Sequence, residues 1–153
     1  MNTADRDHAI GLSQAALRAA HVNPDTGLAT DYLNHFNEVA MLLEMLPDMP
    51  DCVDDVLAWT PRGYDTHFEA TGHSHRAVVI AAWRAAPETV RDQLDALIAA
   101  IDHTIAGLQA RVRSGDACGA AEGARLELAP LLASARGLVN GDPTAQTVPD
   151  TLF

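Results

Sequence analysis

The chain has no lysine; all ten of its basic side chains are arginine. That absence excludes Schiff-base catalysis and a P-loop lysine, whatever the fold. Together with abundant alanine, it fits a GC-rich bacterial genome. Cysteine is almost as scarce. Cys52 and Cys118 stand far apart with no CxxC spacing, which points to two buried thiols in a reducing cytoplasm rather than a disulfide or a catalytic cysteine. No apolar stretch approaches the roughly 20 residues of a membrane span. The N-terminus, MNTADRDHAIGLSQ, lacks a basic segment followed by an apolar run, so no signal peptide is expected. Gly-x-Gly-x-x-Gly, Gly-x-Ser-x-Gly and His-Glu-x-x-His are also missing, which leaves nucleotide binding, a serine elbow and a zincin site without a motif.

Acidic charge, by contrast, is plentiful. The formal net charge is −11 and the pI about 4.8. Such a chain repels phosphate backbones and anionic lipid surfaces, so nucleic acid and membrane surfaces are not expected partners. Basic proteins and cations are. Hydrophobic residues at 48% and charged residues at 20% suit one globular domain of 153 residues with a real core.

Helical periodicity recurs along the whole chain, and no period-two alternation competes with it. The first helix is expected from about Ala4 to Ala20, with Thr3 as N-cap, and Asn23-Pro24 stops it. A second helix follows Thr30, with Tyr32, Phe36, Val39, Leu43 and Leu46 on one face. Leu33, Met41, Leu42 and Met45 widen that stripe, which predicts a central helix packed on more than one side. Pro47 and Pro50 lead into a short third helix over about Asp51–Trp59. Tyr64–Ala70 is a candidate short helix stopped by Thr71-Gly72, and Ser74 is the expected N-cap of a helix reaching Ala86.

The clearest element begins after Pro87. Val90, Leu94, Leu97, Ile101, Ile105, Leu108 and Val112 make a near-heptad seam that needs a partner of comparable length. Ser114-Gly115-Asp116 reverses the chain, and the helix to Asn140 should return antiparallel with a kink or break at Pro130. The expected fold is therefore all-α. It is a single-domain helical bundle of five or six helices over residues 1–141, with a long C-terminal antiparallel hairpin and a flexible tail over 142–153.

The segment Gly63–Arg76, GYDTHFEATGHSHR, gathers three of the seven histidines. Asp31, His35 and Glu38, at i, i+4 and i+7, share one helical face. A transition-metal site (zinc, iron or nickel) drawn from His35, Glu38, His67, His73 and His75 would have the right donors for hydrolytic or redox chemistry. The patterns of known metal bundles do not occur, however; there is no Glu-x-x-His pair of the ferritin type. Tyr32, Phe36, Trp59, Tyr64, Phe68 and Trp83 fall in one half of the chain. If they surround a pocket, its polar lining is expected from His35, Tyr64, His67 and His75. The plainer alternative makes the histidine cluster a polar helix junction and the aromatics core filling. His8, His21 and His103 read as exposed or as structural. The function expected from this pattern is a small acidic cytoplasmic protein acting by protein–protein contact or self-association, without a cofactor. A metal-binding bundle is the alternative.

Overall fold

The computed structural model describes residues 13–141, and the expected Thr3 cap, His8 and the 142–153 tail lie outside them. Among the described residues the fold is all-α and contains no strand; an isolated bridge joins Val22 to Ala29. No described helix is long and apolar enough to cross a membrane.

Helix α1 spans Gln14–Ala19. It begins inside the run expected to be one helix from Ala4, because Ser13 is extended and its hydroxyl accepts from the Ala16 amide at 3.0 Å. An N-cap of this kind satisfies a donor that the first turn leaves orphaned. The helix ends on His21, whose φ of 59° is left-handed. Val22 N then reaches back to Leu17 O at 2.8 Å and His21 N to Arg18 O at 3.0 Å. This is a Schellman closure, a position where glycine is usual and histidine is strained.

Thr30–Leu33 is a 3-10 turn that feeds α2, Asn34–Met45. Phe36, Val39 and Leu43 are fully buried, and α2 touches α3 on one side and the C-terminal arm on others. It is the central helix the stripe predicted. Met41 departs from that stripe, with 54% of its surface exposed. A second 3-10 turn, Pro50–Cys52, opens α3, Val53–Ala58. Helix α4 spans Tyr64–Ala70 and α5 spans Arg76–Ala85. His75, not Ser74, occupies the cap position of α5, and no side chain caps it.

Helix α6 runs Glu88–Arg113, 26 residues and so about 39 Å. Its seam from Leu94 to Val112 is buried as predicted, with Val90 half-buried at the open end. Gly115, at φ 87°, makes the reversal, and the Asp116 carboxylate accepts from Gly119 N at 2.9 Å. The returning arm comprises α7, Ala117–Gly123, a π-helical turn over Ala124–Leu128, and α8, Ala129–Val139. Arg111 Nη1 donates to Gly119 O, and the space a Cβ on Gly123 would need is filled by Leu108. One index falls as the other rises, so the two arms run antiparallel. The disturbance expected at Pro130 takes the form of the π turn just before it. Pro130 has no N–H for the carbonyl four residues back, and its ring crowds that carbonyl. The wider turn, in which Ala129 N bonds Ala124 O, accommodates both defects without breaking the helix. Counting this arm as one rod, the described residues hold seven helices against the five or six expected.

Candidate functional site

The aromatic residues of the first half do converge, in a layer between α2, α4 and the 59–64 connection. Tyr32 meets Phe36 edge-on at 5.2 Å and Tyr64 at 5.0 Å. Tyr64 stacks on Trp83 at 4.5 Å. Phe36 and Phe68 are fully buried, so part of the layer is core.

His35 and His67 lie inside this layer, and both are buried. Their rings are 6.4 Å apart. His35 Nε2 is 2.7 Å from Thr60 O, and a carbonyl can only accept, so this nitrogen carries the proton. The ring stacks on Trp59 at 4.7 Å, whose indole N–H in turn donates to His35 O at 2.9 Å. Burial lowers the His35 pKa, the bond to Thr60 opposes the shift, and Arg62 and His67 lower it further. Because folding depresses this pKa, the unfolded chain takes up the proton first. The stability tied to neutral His35 is present above the ordinary histidine value of 6.5 and is lost as pH falls through the lower folded value. Denaturant midpoints at neutral and mildly acid pH check this. His35→Gln retains an amide donor for Thr60 and is expected to lose less stability on acidification than the parent; equal losses would assign the acid sensitivity elsewhere.

His67, 3% exposed, sets Nε2 3.0 Å from Asp31 Oδ2, and Nδ1 is buried with no partner among the described residues. Asp31 Oδ1 accepts from Asn34 Nδ2 at 3.2 Å. His73 Nδ1 accepts from the His75 amide at 3.1 Å.

These partners decide how the metal candidates stand. Among the described residues no group of three or more His, Cys, Asp or Glu is placed to hold a metal ion. His35 and His67 each commit Nε2 to another protein group, Glu38 is exposed on a groove beside His35, and His75 is exposed beyond the end of α4. His35, Glu38, His67, His73 and His75 are thus divided among three places. The pocket quartet is divided too. Tyr64 lines a cleft against α6, His35 lines the groove with Glu38, and His67 is enclosed by Tyr32, Phe68 and Asp31.

The cleft that Tyr64 lines, about 440 Å³, has a composition of its own. One wall is aromatic, formed by Tyr32, Tyr64 and Trp83. The other is the face of α6 that carries Leu94, Asp95, Ile98 and Asp102. Asp65 and Arg62 stand at the remaining edges, with Asp65 in a loose 3.4 Å contact with the exposed Arg84. Asp95 is exposed at the mouth, whereas Asp102 is half-buried. Burial raises the Asp102 pKa; burial and then neighbouring Asp92 raise that of Asp95. Asp65 Oδ1 and Asp102 Oδ1 are buried atoms without a hydrogen-bond partner among the described residues. Burial, followed by Asp102 and Asp95, pushes the Tyr32 phenol well above its ordinary value, and burial does the same to Tyr64. Both phenols stay neutral. Their oxygens are already engaged, Tyr32 donating to Arg62 O at 2.7 Å and Tyr64 accepting from Ala29 N at 2.9 Å. The rings are therefore fixed, and the cleft offers carboxylates beside aromatic residues.

Sequence reasoning missed Asp65, Asp95 and Asp102. A signal existed in α6, where residues 95, 98 and 102 form a second stripe at helical spacing, about a quarter-turn from the main seam. No family model matches the chain, and no match was found among curated proteins or solved structures.

Proposed function

We propose that this chain is a non-catalytic cytoplasmic binding protein that engages a basic protein partner, whose cationic side chain enters the cleft between α6 and the Tyr64–Trp83 stack. The carrying observation is the lining: three carboxylates against one guanidinium, set beside three aromatic rings. A cation is attracted both by the carboxylates and by the faces of the rings, the latter worth about 0.5–2 kcal/mol depending on desolvation. An anion meets the opposite of both. The net charge of −11 acts in the same sense at long range, steering basic partners inward and repelling acidic ones. Cys52 is buried as expected but Cys118 is exposed; both are free, which suits a reducing compartment.

Fluorescence anisotropy with a labelled peptide of alternating arginine and glycine tests this reading. Saturable binding that weakens as salt rises is expected, and a combined Asp65→Asn, Asp95→Asn, Asp102→Asn variant should lose most of it. The control removes the same charge elsewhere, through Glu44→Gln, Asp48→Asn and Asp51→Asn on exposed positions. Equal weakening by both triple variants would mean that bulk charge, not the cleft, binds the peptide.

A further inference from the structure

We infer that the cleft also takes a small linear cation with two positive centres on one apolar chain, an alkyl diamine or polyamine, in the place of the partner's cationic side chain. The inference rests on the proposed cation-binding role of the cleft and names the ligand chemistry within it.

The argument comes from the order of groups along α6. Asp95 and Asp102 both line the cleft, and Leu94 and Ile98 line it between and beside them. Seven residues of helix separate the two carboxylates by roughly 10 Å along the axis. The wall therefore reads carboxylate, apolar, carboxylate. Opposite it, Tyr64 and Trp83 present rings stacked 4.5 Å apart. A lone ammonium or guanidinium can use one end of such a wall and leaves the other carboxylate unmatched. A chain of methylenes ending in two ammonium groups matches the whole wall, with its stem on Ile98 and the rings and one charge at each aspartate. Asp102 is half-buried, and its Oδ1 has no hydrogen-bond partner among the described residues. Asp95 at the open mouth can take a more hydrated group. Hydrogen bonds from an ionised donor to a carboxylate are about twice as strong as neutral ones, so matching both ends matters. A cavity of about 440 Å³ has room for such a chain without displacing the protein.

Calorimetric titration of the full chain with diaminooctane, whose ammonium groups sit about as far apart as the two carboxylates, and with octylamine, which has the same stem and one charge, separates the two cases. Diaminooctane is expected to bind at least tenfold more tightly, and the Trp83 indole N–H resonance should shift on its addition. Asp95→Asn and Asp102→Asn should each reduce diaminooctane to the affinity of octylamine, with thermal unfolding confirming that both variants fold. Equal affinities for diaminooctane and octylamine, both abolished in Asp102→Asn, would overturn the two-point inference while leaving a cation site. If neither amine binds but the arginine peptide does, the cleft serves a protein partner and the diamine assignment is wrong. Failure of all three ligands would remove the cation reading itself.

Discussion

Ile101→Ala is expected to destabilise the protein by about 2–4 kcal/mol, the range for deleting a large aliphatic side chain that leaves a cavity behind it. Ile101 is fully buried at the middle of α6, between Leu97 and Ile105, which are equally inaccessible. Its position makes collapse of the cavity difficult. The seam faces the returning arm, where Gly123 packs directly against the Leu108 side chain and leaves no room for a Cβ. Rigid walls relax little, so the upper half of the range is favoured. His103→Ala, two residues along on the exposed side of the same helix, serves as the control and should change stability by less than about 0.5 kcal/mol. Urea unfolding of both variants makes the comparison. A loss below about 0.5 kcal/mol for Ile101→Ala would contradict the burial of the seam.

The contrast between residues 101 and 103 shows why the hairpin could be read from the sequence. A long apolar repeat at spacings of three and four has one structural solution, and its two faces announce themselves. Helix ends were less legible. Ser13 and Ser74 are both plausible caps by residue type, yet only Ser13 makes the bond, because capping depends on backbone angles that composition does not fix. Pro130 announced a defect without specifying its form, since a kink, a break and a π turn all relieve the same clash.

The site was legible only in part, for a different physical reason. His35 and His67 stood out as unusual residues, but what they do depends on Thr60 and Asp31, partners brought close by the connection after α3 and by the turn before α2. Nothing in local spacing encodes that. Asp95 and Asp102 were hidden by the opposite problem. A carboxylate on a long helix is ordinary solvent-facing chemistry, and only the packing of Tyr64 and Trp83 across from it turns an acidic stripe into a cleft. Ile98 was the one clue, an apolar residue off the seam whose partners lie on another element.

Gln109 carries the second large expected effect. This residue is 8% exposed, adjoins the buried Leu108 of the seam, and donates from Nε2 to Val56 O and Trp59 O, both at 2.9 Å. It ties α6 to the end of α3, where the last carbonyls of a short helix lack partners of their own. Gln109→Leu keeps the approximate shape and removes the donor. Val56 O retains its bond from Trp59 N at 3.3 Å, so one carbonyl is left bare and the loss should be about 1–3 kcal/mol, independent of pH. Gln109→Glu should be worse at neutral pH, about 3–5 kcal/mol, because it turns a buried donor into a charge facing two carbonyl oxygens. Desolvation and those dipoles would raise the folded pKa of the new carboxyl above its unfolded value of about 4.3. A raised acid contributes stability that is present below the unfolded pKa and is lost as pH rises through the folded one. The difference between Gln109→Glu and the parent should therefore shrink on acidification, as a protonated carboxyl regains one O–H to donate, while that of Gln109→Leu stays constant. Parallel urea titrations of the three proteins across the acid range measure both differences. A Gln109→Glu penalty that does not shrink would show that the side chain swings out to water, and that α3 is held to α6 by packing alone.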